Sequence, residues 1–286
     1  GVGGGDGDGG GATITTLQEV ELGGSDFLPG TGLQLSASPD RQQLAWVSDE
    51  VYIVSVAGTA SELAARQSRQ LTRLGCRVES YAWSPDGRRL VLSANRLGHF
   101  QLWLVELADG ATRRITSESS GAVDINPTFT FDNKAVLWAR LDATWCHHAI
   151  MMQELDGQHE PTVVAQDRDF FNYMKKDHLG LKASPASSLA CFRSQRSGHT
   201  NIYLIELSDS KWSCRLDCRL TQTVAADRGR GAVEPLPLCP EEAEQGGAVW
   251  SPDGSCIAFT TNRNGTHAVV VASVLQHARN PGEPWQ

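Results

Sequence analysis

The sequence predicts an all-β fold, a β-propeller built from four-stranded antiparallel blades. Three observations lead to this prediction. A turn of the type Ser-Pro-Asp-Gly recurs along the chain, short β-forming segments flank each copy, and the copies are spaced by about the length of one propeller blade. The chain contains five recognisable repeats, so we expect five blades here, or six if one lies outside this chain.

The stretch from Tyr81 to Thr116 holds one complete repeat. Its turn, Ser84-Pro85-Asp86-Gly87, has a proline that presets φ, an Asp that bonds nearby backbone and a glycine where a Cβ would clash. Apolar and β-branched segments predict four strands, at Tyr81–Trp83, Leu90–Ser93, Gln101–Leu107 and Thr112–Thr116. Such a sheet buries neither face by itself, so it needs a neighbour on each side.

Four further copies align on the turn. Three of them carry a proline at the turn, and a weaker copy has Phe131-Asp132-Asn133 in its place. Successive turns are 46, 46, 54 and 67 residues apart, so the last two intervals contain additional residues. We interpret the recurring residues as structural turn formers rather than catalytic groups. They are Pro39, Asp40, Pro85, Asp86, Gly87, Asp132, Pro185, Pro252, Asp253 and Gly254.

A pair formed by an aliphatic residue and threonine recurs where a fourth strand is expected to end. It occurs at Leu71-Thr72, Ile115-Thr116 and Leu220-Thr221, and once more near the start of the chain at Ile14-Thr15. The last repeat stops after its third strand, at about Leu275. The N-terminal strand is therefore a candidate for the missing fourth strand, which would fasten the ring and remove exposed sheet edges.

The signature that begins Trp-Ser-Pro-Asp-Gly, read at Trp83–Gly87 and again at Trp250–Gly254, resembles the TolB-type propeller repeat. Asn95-Arg96 and Asn262-Arg263 continue it. The resemblance covers roughly residues 13 to 275 and also extends to the propellers of prolyl oligopeptidase-family enzymes and to oligogalacturonate lyases. It implies a propeller from 13 to 275. The low-complexity Gly-rich stretch 1–12 is interpreted as a flexible tail, and 276–286 as a C-terminal tail. As a marker of function it is weak, because propellers carry many unrelated activities.

Composition excludes several classes of partner. The chain of 286 residues has a net charge of −8, and its longest basic runs are pairs, so we expect no nucleic-acid surface. No run approaches the ~18 apolar residues of a membrane span, so we expect no membrane insertion. The chain begins at Gly1 without Met, which indicates a processed, trimmed or partial product and leaves the compartment open. Oligomeric state is open as well.

We expect neither a cofactor nor a metal. The seven cysteines are scattered over different repeats and are interpreted as free thiols, most of them buried. The Gly-rich start contains a formal G-x-G-x-x-G, but no strand precedes it and no helix follows. Histidines recur after the second strand of the repeats, where we expect them to lie far apart around the rim. They are His99, His147, His148, His199 and His267. The recurring arginines Arg96, Arg196 and Arg263 are interpreted as structural.

Two insertions interrupt the regular spacing, at Ala165–His178 and at roughly Ala225–Gly247. Both join the outer strand of one blade to the inner strand of the next, and loops held by a rigid scaffold commonly carry function. The second insertion is acidic and is expected to be a solvated loop. The first is either a local lid or a binding element, and its candidate binding residues are Arg168, Phe170, Phe171 and Tyr173.

The leading hypothesis is a non-catalytic scaffold that binds protein or peptide partners through inter-blade loops, as the TolB resemblance implies. That resemblance would also imply a periplasmic or otherwise extracytoplasmic location. The alternative is the substrate-gating propeller of a prolyl oligopeptidase-like hydrolase whose catalytic domain is absent from this chain, which contains no G-x-S-x-G. A third hypothesis, polysaccharide lyase activity, would require a bound divalent metal.

Overall fold

A computed structural model shows an all-β protein whose five antiparallel sheets are the blades of a propeller ring, as the sequence predicts. The structure describes residues 35–47, 49–58, 68–117, 121–143, 148–157, 160–167, 180–194, 200–207, 236–237, 245–262 and 265–274. The predicted tails, 1–12 and 276–286, lie outside these ranges. The described strands all fall within the predicted propeller, residues 13–275.

Each blade is an up-and-down meander in which neighbours along the chain pair antiparallel. Blade 1 contains β1 (Leu35–Ala37), β2 (Gln43–Val47), β3 (Val51–Ser55) and β4 (Arg69–Gln70). Blade 2 contains β5 (Val78–Trp83), β6 (Arg89–Ala94), β7 (Gln101–Glu106) and β8 (Thr112–Arg114). Blade 3 contains β9 (Val123–Phe129), β10 (Ala135–Leu141), β11 (His148–Glu154) and β12 (Thr162–Asp167).

Blade 4 contains β13 (Lys182–Ala183), β14 (Leu189–Ser194), β15 (Asn201–Glu206) and β16 (Leu236–Pro237). Blade 5 contains three described strands, β17 (Gln245–Trp250), β18 (Cys256–Thr261) and β19 (Ala268–Ser273). The outer strand of blade 4 differs from the sequence prediction of a strand ending at Leu220-Thr221, a pair that lies outside the described residues. Pro237 has no N–H to donate, which suits an outer edge strand.

The recurring turn joins the first and second strands of every blade and is closed by a small set of hydrogen bonds. In blade 2, Ser84 Oγ donates to Asp86 Oδ1 at 2.6 Å and accepts the Arg89 N–H at 2.9 Å. Asp86 Oδ1 also accepts the Arg88 N–H at 3.0 Å. Gly87 has a φ of +68°, a conformation in which a Cβ is strained.

The same pattern closes the turns of blades 1, 3 and 5. The hydroxyls of Ser38, Thr130 and Ser251 each donate to the Asp two residues later, all at 2.6 Å. The turn of blade 4 has Ala186 at the Asp position. There Ser187 Oγ donates to Ser184 Oγ at 2.9 Å, so a hydroxyl pair takes the place of the carboxylate bonds.

The core consists of apolar layers between neighbouring blades. Ala45, Val51 and Ile53 of blade 1 pack with residues of blade 2, including Leu92 and Trp103. Three further layers join the remaining neighbours in the same way. Blades 2 and 3 meet around Leu102 and Trp138, blades 3 and 4 around Ile150 and Phe192, and blades 4 and 5 around Ile202 and Phe259. Each sheet thus buries faces that it cannot cover alone.

Candidate functional site: the face of the inter-blade connections

One face of the disc carries the segments that link consecutive blades. Because each blade is an up-and-down meander, the link from a fourth strand to the next first strand lies at the same end as the turn between the second and third strands. We call this the connection face. The Ser-Pro-Asp-Gly turns lie on the opposite face, the turn face. The ten predicted turn residues therefore all lie on the face opposite the inter-blade links.

The four predicted binding residues, Arg168, Phe170, Phe171 and Tyr173, lie outside the described residues. The strands at the two ends of their segment are described. β12 ends at Asp167 on the outer edge of blade 3, and β13 begins at Lys182 as the first strand of blade 4. The segment between them therefore starts and finishes on the connection face.

Glu50 fixes the link between blades 1 and 2. Its side chain is buried, and its Oε2 accepts the Thr72 hydroxyl at 2.5 Å while its Oε1 accepts the Gly75 N–H at 2.6 Å. Thr72 Oγ1 in turn accepts the Val51 N–H at 3.0 Å. A carboxylate with both oxygens engaged holds this link in one conformation, so the loop that follows is positioned rather than free.

In the turn between β6 and β7, the guanidinium group of Arg96 stacks on the ring of Trp103. The guanidinium carbon of Arg96 lies 5.1 Å from the centre of the Trp103 ring, within the range of a cation–π contact. Gln101, which is 2% exposed, brings its Nε2 to 3.1 Å from His99 Nε2. Leu97, in the same turn, is 46% exposed. This turn therefore presents an apolar side chain beside a fixed positive charge.

Asp124 is a buried acid of this face that accepts several hydrogen bonds. It is 2% exposed and accepts Arg140 Nε at 2.7 Å, Arg140 Nη2 at 2.9 Å and Trp138 Nε1 at 2.8 Å. Its backbone carbonyl accepts the Ser93 hydroxyl of blade 2 at 2.7 Å, and its N–H donates to the Phe100 carbonyl at 3.0 Å. The carboxylate, its bidentate arginine and the backbone of the preceding blade form one network.

Gln245 occupies the corresponding place between blades 4 and 5. Its N–H donates to the Thr200 carbonyl at 2.6 Å, as that of Asp124 does to Phe100. Its Oε1 accepts the Ile202 N–H at 3.0 Å. The N–H groups at the equivalent positions of blades 1 and 2, those of Val51 and Leu102, donate to threonine hydroxyls. In blade 4 the side-chain amide oxygen of Gln245, which belongs to blade 5, accepts this hydrogen bond instead.

The described histidines and cysteines do not converge. His99, His148 and His267 belong to three different blades, and no group of three or more His, Cys, Asp or Glu side chains within the described ranges is arranged to hold a metal ion. Cys76, Cys191 and Cys256 are free thiols. Burial raises the pKa of Cys191 to about 12, and that of Cys76 is raised by burial and by Glu50, with Arg96 opposing. Neither is an activated thiolate.

The network residues Glu50, Asp124, Arg140 and Gln245 were not identified from the sequence. They do not recur at one repeat position as the same residue type, so repeat alignment does not mark them. A local signal exists for Asp124, since an acid that lies between the apolar residues Val123 and Ile125 of a strand must be paired when it is buried. Its partner Arg140 lies directly opposite on the next strand, in the register Arg140↔Asp124. A correct prediction of that register would have identified the pair.

Within the described residues there is no helix with the length and apolarity that crossing a membrane requires. Every described element of the connection face belongs to a β-sheet or to a turn or link between strands. The face is therefore a set of links and turns that buried Glu50, Asp124 and Gln245 fasten to rigid sheets.

Comparison of the structure with solved structures shows the TolB-type propeller among its neighbours. A putative TolB from Agrobacterium tumefaciens superposes with a TM-score of 0.58 at 15% sequence identity, over 84% of this chain and 76% of that one. Oligogalacturonate lyase from Vibrio parahaemolyticus gives 0.59 at 13% identity, over 86% and 65%. Dipeptidyl peptidase 4 from Porphyromonas gingivalis gives 0.51 at 13% identity, over 84% and 37%.

No protein-family model matches the chain, and no curated protein matches it. At identities of 13–15% these similarities establish the fold alone. The chain spans about two thirds of the lyase and little more than a third of the peptidase. The structure is thus a five-bladed propeller of TolB-like architecture.

Proposed function

We propose that this protein is a non-catalytic propeller that binds a protein or peptide partner on its connection face. The observation that carries the proposal is the anchoring of the inter-blade links by buried polar groups. Asp124 ties blade 3 to blade 2, and Glu50 ties the first link to blade 1. A rigid scaffold lowers the entropy that a loop loses on binding, and this favours affinity.

The link from blade 3 to blade 4 supplies the proposed contact residues. It carries Arg168, Phe170, Phe171 and Tyr173 within six positions, and its ends, Asp167 and Lys182, fall on the connection face. Aromatic and arginine side chains are the types that dominate the binding energy of protein interfaces. Leu97 and the stacked Arg96 add an apolar and a cationic contact on the same face.

The experiment uses a peptide selected by the full chain from a displayed library of random peptides. Replacing Phe170 and Phe171 together by Ala should weaken binding of that peptide by about thirtyfold, the effect expected of a pair of interface anchors. The matched control is Phe131→Ala, because Phe131 is 41% exposed on the turn face. This control should leave the affinity unchanged.

Thermal melting separates binding from folding. The double variant should keep the melting temperature of the unmodified chain if the two phenylalanines are contact residues. A lower melting temperature with unchanged affinity would show that they pack on their own blade, and the proposed contact residues would then be wrong. Equal loss of affinity in the Phe131→Ala variant would place the binding surface elsewhere.

A second candidate function is the gating propeller of a larger peptidase. It is favoured by structural neighbours that include a prolyl endopeptidase and dipeptidyl peptidase 4, of which this chain spans 34% and 37%. In that case the gene would encode a nucleophile elbow, G-x-S-x-G, followed by Asp and His in a separate domain. Sequencing the complete open reading frame tests this, since a frame without such a domain contradicts the peptidase function.

A further inference from the structure

The hairpin formed by β6 and β7 directs polar side chains into the junction between blades 1 and 2. Gln101 lies directly opposite Ala94, and Trp103 lies opposite Leu92. Opposed residues share a face of the sheet, and residues two apart on a strand do so as well. Leu92, Ala94 and Trp103 pack in the apolar layer that also contains Val51 of blade 1. The side chain of Gln101 therefore lies on the same face, at the end of the junction that belongs to the connection face.

Gln101 and Trp103 each bury a polar atom that the fold does not use. Their side chains are 2% and 8% exposed. The amide nitrogen of Gln101 lies 3.1 Å from His99 Nε2, so the amide oxygen is the atom that remains. Among the described residues, neither Gln101 Oε1 nor the indole N–H of Trp103 has a hydrogen-bond partner. Buried polar groups are normally paired, so this strand offers one acceptor and one donor to a bound molecule.

Comparable groups elsewhere in the propeller are paired. Trp83, Trp138 and Trp250 each donate their indole N–H, over 2.8 to 3.0 Å. Glu50 is the counterpart of Gln101 in blade 1, because each directly precedes the residue whose N–H donates to a threonine hydroxyl. Both carboxylate oxygens of Glu50 accept hydrogen bonds. The two atoms of blade 2 thus depart from the rest of the repeat.

Arg96 adds a positive charge to this site. Its side chain is exposed, and its guanidinium carbon lies 5.1 Å from the centre of the Trp103 ring. Within the described ranges, no carboxylate forms an ion pair with it. Burial raises the pKa of Cys76 and Arg96 opposes that rise, which places the charge of Arg96 near a residue of the same apolar layer. Leu97, 46% exposed, follows Arg96 in the turn.

We propose that Arg96, Trp103 and Gln101 form a site for a carboxylate of a peptide partner. The carboxylate pairs with Arg96 and accepts the indole N–H of Trp103, while Gln101 Oε1 accepts an N–H of the same peptide. Leu97 contacts an apolar side chain beside them. The last residue of a chain fits this set, since its carboxylate, its N–H and its side chain all branch from one Cα. The site rests on the proposed function, because it names the chemistry that the partner presents to the connection face.

The group that covers Trp103 is itself part of the site. Arg96 stacks on the ring from an exposed turn, in which nothing lies within 4 Å of a Cβ built on Gly98. When the guanidinium turns towards a carboxylate, the indole becomes accessible to the same ligand. Glu50 and Glu79, acids of blades 1 and 2, already have hydrogen-bond or ion-pair partners and do not compete for Arg96.

The probe is a peptide that the full chain selects from a random library displayed with free carboxyl termini. It is synthesised as the free acid, as the C-terminal amide, and with its acidic side chains replaced by their amides. At least one of these changes should weaken binding by about tenfold, as expected for the loss of charge-assisted hydrogen bonds. Weakening in the C-terminal amide assigns the carboxylate to the chain end, and weakening by a side-chain amide assigns it to an acidic residue. Full affinity in every form overturns the proposal.

Variants of the protein connect that carboxylate to the named residues. Arg96→Gln should weaken the carboxylate peptide by about tenfold and bring it close to its neutral form. Trp103→Phe keeps an aromatic ring and deletes the donor, so binding should weaken by about fivefold, the effect of one hydrogen bond. Gln101→Leu should weaken binding by about fivefold without lowering the melting temperature, since Gln101 Oε1 has no partner to lose.

Trp83→Phe is the matched control, because the indole N–H of Trp83 bonds Ser36 within the fold. It should lower the melting temperature more than Trp103→Phe does and leave the peptide affinity unchanged. If Trp103→Phe instead melts lower than Trp83→Phe and binds the peptide at full affinity, the indole of Trp103 is structural and the proposal is overturned.

The outcome for this site is separate from that for Phe170 and Phe171. Unchanged affinity in Arg96→Gln and Trp103→Phe, with weaker binding in the double phenylalanine variant, overturns the carboxylate site and leaves the proposed function standing. The opposite pattern supports the site and overturns the two phenylalanines as contact residues. Failure to select any peptide overturns both.

Discussion

The indole Nε1 of Trp83 donates a hydrogen bond of 3.0 Å to Ser36 Oγ. Trp83 ends the first strand of blade 2, and Ser36 lies in the first strand of blade 1. The same relationship occurs three blades further on, where Trp250 Nε1 donates at 3.0 Å to the Lys182 carbonyl. Ser36 and Lys182 each precede their turn proline by three residues. In blades 2 and 5 the tryptophan of the repeat therefore bonds its blade to the preceding one.

Removing this bond should have a measurable but modest cost. Trp83→Phe keeps an aromatic ring and deletes the donor, so the free energy of unfolding should fall by about 1 kcal/mol, plus the smaller packing loss of the indole. Urea denaturation measures it. Ser36→Ala in the same background gives a double-mutant cycle, and strictly additive effects would show that the two groups do not interact.

Breaking the buried ion pair should be far more costly than breaking an exposed one. Asp124→Asn leaves the bidentate partner Arg140 without its counter-charge, and such a change destabilises by about 3–5 kcal/mol. The matched control is Lys134→Ala, which removes a contact of 3.8 Å between Lys134 and Asp132, with the lysine side chain 79% exposed. Its effect should stay below about 0.5 kcal/mol. Similar losses in both variants would contradict a structural role for Asp124.

Two glycines distinguish backbone strain from blade contact. Gly110 and Gly157 both have a φ of +74°, but a Cβ on Gly110 would lie 2.9 Å from the Leu71 carbonyl oxygen, whereas nothing lies within 4 Å of one on Gly157. Gly157→Ala should cost about 1 kcal/mol, the strain of a left-handed alanine. Gly110→Ala should cost more, because blades 1 and 2 must also move apart. Equal losses of stability in urea would mean that the blades are not in close contact there.

The turn aspartates should contribute an acid-dependent part of the stability. Hydrogen bonds from the Ser251 hydroxyl, and from the Ser255 N–H and hydroxyl, lower the pKa of Asp253 to about 2 from its ordinary value of 3.8. A pKa that folding lowers adds stability above pH 3.8, and this contribution disappears as the pH falls towards 2. Asp253→Asn should therefore melt at a lower temperature than the unmodified chain at pH 7. Its melting temperature should also fall less than that of the unmodified chain between pH 4 and pH 2.

The measurement is the difference in melting temperature between the unmodified chain and Asp253→Asn as a function of pH. The gap between the unmodified chain and Asp253→Asn should narrow on acidification. A gap of constant size would show that the carboxylate makes no stronger bonds in the folded state than in the unfolded one.

The sequence determined the repeat and its local chemistry. The strands predicted for the second repeat overlap β5 to β8, and the predicted turn residues occupy the turns between first and second strands. These features depend on residues close together in the chain: a hydroxyl and a carboxylate two positions apart, a glycine with positive φ, and alternating apolar residues. Local interactions of this kind are readable from the sequence without knowledge of neighbours.

Tertiary structure alone decided which groups hold one blade to the next. Asp124 meets Arg140 across a strand pair and Ser93 across a blade junction, and Gln245 reaches the Ile202 N–H from 43 residues away. The outer strand of blade 4 likewise formed at Leu236–Pro237, because pairing depends on which segment reaches the open edge of β15. Contacts between distant residues follow from the packing of whole sheets, and a short-range repeat pattern does not encode them.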